Sequence, residues 1–328
     1  MTENSKEKFK DETLVSVIVP NYNHESYLVQ RLESIFNQTF TDFEVIMLDD
    51  CSTDGSREIM ERYRGHEKVK NCIYNSENSG SPFKQWKKGV DLAKGKYIWI
   101  AESDDVSEVT FLETLMNTVN DKTGLIYCKS KTIDEHGEVL NNNYFPERLN
   151  PIKWNKDFTA RGEVELSKWH IYINSIPNAS ACIFKKELAD FDGRLFSMEY
   201  AADWLFWGRI MHKTNVSYLS DSLNYWRHTS YSVRSLKSKV EEKRRFKEML
   251  YCIEEMVFMT GIKSLKINNY DWVFNWYLKI IPIFKIPFIK MPDVPFSKIK
   301  FRAYLLKKFF YISGLRVREI FSSKNSQV

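Results

Sequence analysis

Residues 15–56 read VSVIVPNYNHESYLVQRLESIFNQTFTDFEVIMLDDCSTDGS, and two apolar runs in that stretch decide the fold. The first, VSVIV at 15–19, is β-branched without helical spacing. The turn formers PNYNH follow it, so it reads as a buried strand entering a loop. Leu28, Leu32, Ile35 and Phe36 then recur at helical intervals over 25–38, with Asn23 placed to cap the helix. The second run, FEVIML at 43–48, is another strand, and it leads directly into Asp49, Asp50 and the polar turn CSTDGS. A short helix carrying Ile59, Met60 and Tyr63 comes next.

The alternation continues outward. NCIY at 71–74 is a third strand. After the loop NSENSGSP, Phe83, Trp86, Val90 and Ala93 give a helix that Lys94-Gly95-Lys96 stops. YIWIA at 97–101 is a fourth strand, ending at Glu102-Ser103-Asp104-Asp105. A helix through Phe111, Leu112, Leu115, Met116 and Val119 leads to the strand GLIYC at 124–128. Strand and helix in turn with short connections predict an α/β domain whose parallel sheet is covered on both faces. Right-handed crossovers put every strand-to-helix loop at one edge, so PNYN, DDCSTD and ESDD face one crevice, where such sheets bind ligands. After about residue 140 the pattern is irregular and aromatic-rich, with a strand-like SACIF at 180–184 and a helix at 202–213. Beyond 240 it is helical and basic.

The 328 residues are 43% apolar and hold no low-complexity tract, enough for one large domain with an appendage. The polar ends, 1–12 and 322–328, read as loose tails. MTENSKEKFKDE lacks the apolar run of a signal peptide, so a cytoplasmic location is expected. Cys51, Cys72, Cys128, Cys182 and Cys252 are scattered singly without CxxC, which argues against a zinc site or disulfide framework and for buried small apolar residues. From Val257 to the end there are 13 Lys/Arg against 3 Asp/Glu, within a chain of net charge +5. In YLKIIPIFKIPFIKMPDVPFSKIKFRAYLLKKFF (277–310), apolar and basic residues alternate too closely for a spanning helix, and Pro282, Pro287, Pro292 and Pro295 break it up. That surface suits peripheral contact with an anionic membrane, or packs on the domain with its basic side solvated. No recognised nucleic-acid module accompanies it, so nucleic acid is not an expected partner.

Three acidic groups carry the chemistry. Asp49-Asp50, at a strand end, either caps the next turn or receives a nucleobase imide or ribose hydroxyl. Glu102-Ser103-Asp104-Asp105 puts three mutually repelling carboxylates after an apolar strand. A divalent cation would compensate them and bridge a diphosphate, while a solvated helix N-terminus is the plain alternative. Asp203, in YAADWLFWGRI, is an acid on an otherwise apolar segment. Such surroundings suit a general base, and a helix N-cap is the alternative. Neither GxGxxG nor GxxxxGK[ST] is present, so no glycine loop cradles phosphates and a metal is expected to do so.

The blocks VSVIV…DDCSTDGS (15–56), AKGKYIWIAESDD (93–105), ADWLFW (202–207) and NYWRHTSYS (224–232) together resemble a family 2 glycosyltransferase of the GT-A fold. The resemblance covers about 14–235 and implies a Rossmann-like, mostly parallel sheet over that span, with 236–328 as a helical, basic C-terminal extension. It implies that Pro20, Tyr22 and Asp50 hold the nucleotide, with a lean to uridine, and that Glu102, Ser103 and Asp104 contact its ribose and phosphates. Asp104, Asp105 and His228 would hold Mn²⁺ or Mg²⁺, and Asp203 matches the catalytic base. The expected activity is inverting transfer of a single sugar from a nucleotide-sugar donor to a glycan or lipid-linked acceptor, in cell-surface polysaccharide or glycolipid synthesis. SPFKQWKKG (81–89) replaces the usual Ala-Arg-Asn stretch, so donor-sugar contacts there are not carried over. Arg227 follows Trp226, so the QxxRW of processive synthases is missing. A nucleotidyltransferase, whose first loop commonly is glycine-rich, and a binding protein without catalysis are the rivals.

Overall fold

The computed structural model describes residues 14–140, 145–228, 238–263, 265 and 310. The predicted loose tails, the basic stretch 277–309 and residues 229–232 of the last motif lie outside them. The chain divides into two compact units, Met1–Ser235 and Leu236–Val328.

In the first unit, β1 (Val15–Asn21), α1 (Glu25–Phe36), β2 (Phe43–Asp49), α2 (Ser56–Tyr63), β3 (Val69–Tyr74), α3 (Pro82–Leu92) and β4 (Tyr97–Ile100) alternate as expected. Then follow β5 (Val106–Ser107), α4 (Phe111–Met116), β6 (Thr123–Ile133), β7 (Phe158–Arg161), α5 (Gly162–Glu165), β8 (Cys182–Lys185), α6 (Gly193–Ser197), α7 (Ala202–Lys213) and β9 (Asn215–Arg227). In the second unit, α8 (Lys239–Thr260) is capped by the Ser238 side chain, which accepts from Glu241 N, and ends on Gly261 at φ 63. Among the described residues no helix is long and apolar enough to cross a membrane.

The strands form one sheet in the order β3-β2-β1-β4-β8-β6-β9-β5, with β7 paired to β9. β1 to β4, β6 and β9 point one way. β8 runs antiparallel between β4 and β6, and the short β5 and β7 are antiparallel to β9. The sheet is therefore mostly parallel, but an antiparallel strand made late in the chain interrupts it. Every residue of β1 and β2 is buried, because helices cover both faces. The core joins Val17 and Val19 to Leu28 and Leu32 of α1 and to Trp99 and Phe111. α3 lies close on β1: a Cβ on Gly89 would stand 2.4 Å from Ile18 Cγ2. That contact fixes where Gln85 and Trp86 of the same helix point.

Asn23 does not cap α1. It takes a left-handed φ of 55 and receives Thr53 N–H on Oδ1 at 2.8 Å, and the cap position falls to His24. Glu25 N instead donates to Asp54 Oδ2 (2.9 Å), while Glu25 Oε2 accepts Gly55 N–H (2.9 Å), so two loops satisfy each other's orphan donors. Of the cysteines expected to be buried, Cys51 and Cys72 are half-buried.

Candidate active site

The three loops predicted to share a crevice are joined by direct bonds. Asn21 Nδ2 donates to Asp49 Oδ1 and to Ser52 Oγ (both 3.1 Å), tying the end of β1 to the end of β2. His24 Nδ1 and Ser103 Oγ are 2.7 Å apart, tying the first loop to the acidic one.

The adjacent Asp49 and Asp50 have separate tasks. Asp49 is fully buried, accepting Ser52 N–H and the Arg57 guanidinium on Oδ2 (3.0 and 2.8 Å), so it braces the turn into α2. Asp50 accepts Asn75 Nδ2, Ser79 N–H and Gln85 Nε2 on Oδ1, but only Ser79 Oγ on Oδ2. A carboxylate oxygen takes about two donors, which leaves Oδ2 able to accept one more. Pro20 is buried inside β1 opposite Leu48, whereas Tyr22, two residues on, is 46% exposed.

The acidic loop is mostly turned inward. Asp105 is only 1% exposed; Oδ2 accepts Asn178 Nδ2 (2.8 Å) and Ser180 Oγ (2.6 Å), and Oδ1 accepts Arg227 N–H (3.0 Å). Chain donors hold this carboxylate, so the metal role expected of Asp105 would fall to the remaining lone pair of Oδ1. Glu102 Oε1 accepts Trp86 Nε1 (2.8 Å). Burial, then the charges of Asp104 and Asp105, push the Glu102 carboxyl up to about 8. Burial, then Asp104, lifts Asp105 to about 6, and burial raises Asp104 as well. Among the described residues no three His, Cys, Asp or Glu side chains gather as a metal site. Asp104 is half-buried and His228 is exposed. The two are neighbours through Arg227, whose Nε donates to Asp104 O (2.8 Å).

Asp203 is the second residue of α7, half-buried, with Ala201 at the cap position, so it is not the N-cap. Its Oδ2 accepts Asn174 Nδ2 at 2.9 Å. Two routes connect it to the acidic loop. Trp86, bonded to Glu102, packs on Phe206 and Trp207 of α7 at 5.7 and 6.0 Å between ring centroids. The segment NSIPNAS (174–180) holds Asp203 through Asn174 and Asp105 through Asn178 and Ser180. That segment lay in the stretch read as irregular. Its signal was a run of small amides and hydroxyls among aromatics, each of which has a partner in the site.

Arg227 was read only as the absence of another motif, yet it is a hub. Besides Asp104 and Asp105, it donates to Asp134 O (2.8 Å) and Gln30 Oε1 (2.7 Å). His170 secures the same region from below. Its Nε2 lies 2.9 Å from Trp204 O, which can only accept, and its Nδ1 takes Ser175 N–H (3.2 Å), so the ring is neutral. Burial holds it down to about 4 from 6.5. The unfolded chain then binds more protons between these values, so stability is complete above about 6.5 and falls with pH toward about 4. The loss totals about 3 kcal/mol. His170→Gln should flatten this part of the pH dependence of the urea midpoint between pH 7.5 and 4.5. An unchanged slope would show that other groups set it.

Residues 16–176 match the family described as Glycosyl transferase family 2. Glycosyltransferase GlyG of Streptococcus pneumoniae serotype 4 is 38% identical over 109 residues, 33% of this chain and 36% of that protein. Poly(ribitol-phosphate) beta-N-acetylglucosaminyltransferase TarS of Staphylococcus aureus is 28% identical over 214 residues, 64% of this chain and 35% of TarS. This chain thus spans about a third of the length of these curated relatives. The crystal structure of TarS in complex with UDP-GlcNAc superposes with a TM-score of 0.59 at 24% identity, covering 81% of this chain and 72% of that one. The fold is accordingly GT-A.

Proposed function

We propose that the protein is an inverting glycosyltransferase that moves one sugar from a nucleotide-sugar, with uridine as its base, to an acceptor hydroxyl in cell-surface glycan synthesis. The observation that carries this is the joining of Asp203 to the acidic loop through Trp86 and through 174–180. A base and a phosphate-facing loop held at fixed separation are what in-line displacement at an anomeric carbon requires. TarS, which shares the fold, has been crystallised with UDP-GlcNAc, and that favours a UDP-sugar.

Tyr22 offers its exposed ring to the base, and the remaining lone pair of Asp50 Oδ2 offers an acceptor for its imide. Glu102 and Ser103 would serve the ribose side of the nucleotide. Asp104 and His228 would hold Mn²⁺ or Mg²⁺, an arrangement that fits ions bound by one or two side chains together with substrate phosphates. Such an ion, when bound, stabilises negative charge on the departing diphosphate. Asp203 takes the acceptor proton as the hydroxyl attacks from the face opposite the nucleotide, which inverts the anomeric centre. Contact of the basic extension with an anionic membrane would bring a lipid-linked acceptor within reach.

UDP with Mn²⁺ should raise the melting temperature more than CDP, ADP or GDP does. Asp104→Ala should lose the Mn²⁺-dependent part of UDP binding by isothermal titration, a loss of about tenfold or more for one charge-assisted contact. No UDP binding by the wild-type protein, with or without Mn²⁺, would overturn the assignment.

A further inference from the structure

The turn at 174–176 presents one amide to the carboxylate of Asp203. Asn174 Oδ1 accepts Ile176 N–H at 3.2 Å, two residues on in its own turn, and Nδ2 donates to Asp203 Oδ2 at 2.9 Å. These two bonds fix which way round the amide sits. Turned over, it would set its oxygen against a carboxylate and its NH₂ group against an N–H. The next residue anchors the turn to the same helix. Ser175 N–H donates to His170 Nδ1 (3.2 Å), the other ring nitrogen lies 2.9 Å from Trp204 O, and Trp204 Nε1 donates to His170 O (2.7 Å). Residues 174 and 175 are thus tied to residues 203 and 204, one pair directly and the other through a buried imidazole.

The place of Asp203 is what gives that grip a consequence. As the second residue of α7 it stands among N–H groups that have no helical carbonyl to bond, and these attract a carboxylate. Oδ1 takes Trp204 N–H at 2.8 Å. An acid in that place, left alone, folds back on its own helix. Asn174 draws the second oxygen the other way, toward the turn. Turn formation by itself does not call for Asn: an Asp accepts the Ile176 N–H equally well, but it would set a second carboxylate against Asp203.

We propose that Asn174 is the positioning residue of the base: its Nδ2 keeps the Asp203 carboxylate turned away from the end of α7, in the orientation that takes the acceptor proton. The inference rests on the proposed transfer chemistry, in which Asp203 is the base. It gives an uncharged residue outside the acidic loops a direct hold on turnover, and none on nucleotide binding.

The probes are UDP-GlcNAc, UDP-glucose and UDP-galactose in Mn²⁺, with hydrolysis followed as UDP release and water standing in for the acceptor. The sugar that the wild type turns over fastest is used for kcat and KM. Asn174→Asp keeps the shape and the acceptor for Ile176 N–H and removes only the donor; Asn174→Ala removes both. Each should lower kcat about 10–10²-fold, the scale for a misplaced catalytic group, with KM and UDP affinity within about threefold of wild type. Added to Asp203→Asn, Asn174→Ala should cost less than about threefold more, because a residue that acts through the base has nothing left to act on. A residue that only supports the fold would weaken UDP binding in step with activity, and its loss would multiply with that of Asp203→Asn. That result, or full activity in Asn174→Asp, overturns the proposal. If Asn174→Ala does not fold, Asn174→Asp decides alone: a fall in kcat at constant KM supports the proposal, and constant kcat or a parallel loss of UDP binding overturns it. Wild-type protein that releases UDP from none of the sugars would sink the functional assignment, whereas an active wild type with indifferent Asn174 variants sinks only this inference.

Discussion

Asp203→Asn lowers sugar transfer by about 10²–10⁴-fold while leaving UDP affinity and melting temperature near those of the wild type. The amide has the shape of the carboxylate, and its one oxygen can still accept from Asn174 Nδ2, so the first turn of α7 loses only the acceptor for Trp204 N–H. What disappears is the ability to take a proton from the acceptor hydroxyl. UDP release from a UDP-sugar with acceptor present reports the lost step, and titration with UDP reports the retained binding. A variant that transfers sugar at the wild-type rate would remove Asp203 from the chemistry altogether.

Asp105→Ala destabilises the protein by about 3 kcal/mol, the order expected when buried donors lose their acceptor. Three donors, Asn178 Nδ2, Ser180 Oγ and Arg227 N–H, lose their acceptor in a region closed to bulk water. Behind them, Asn224 Nδ2 donates to Asn178 Oδ1 (3.3 Å) and Ser130 Oγ (3.1 Å), so the disturbance spreads to β6 and β9. The urea midpoint measures this directly. If the variant unfolded with the wild type and lost only Mn²⁺-dependent UDP binding, Asp105 would be a metal ligand after all.

The first hundred residues were legible because each strand there is followed by its own helix and pairs with strands from the same stretch. Apolar periodicity then specifies element and neighbour together. The same logic gave the crevice. It could not place β8, whose partners Tyr97–Trp99 and Leu125–Tyr127 lie some sixty to ninety residues earlier. Nor could it show that β9 runs for 13 residues, because buried Ser217 and Asn224 break its apolar pattern. In the site, the residue types were readable and their allocation was not. Adjacent carboxylates such as Asp49 and Asp50, or Asp104 and Asp105, look alike in sequence. Only the donors around them, drawn from loops 25 to more than 100 residues away, decide which is sealed and which stays open. Arg31 shows the limit most plainly. It falls on the inner face defined by Leu28, Leu32 and Ile35, so its burial followed from helical spacing, but the Trp99 ring it packs over belongs to another part of the chain. The repulsion within ESDD was legible in the sequence; what the buried arginine packs on was not.

The place of β8 between β4 and β6 has a bearing on how this domain is made. As the chain leaves the ribosome, YIWI at 97–100 is ready to pair long before residues 182–185 exist, so its flank stays an open, sticky border for that whole interval. Asp105 also waits for Asn178, Ser180 and Arg227. A fragment cut at residue 176, where the family match stops, would keep that border bare and the carboxylate unsupported. The smallest piece able to stand by itself has to extend past the final strand.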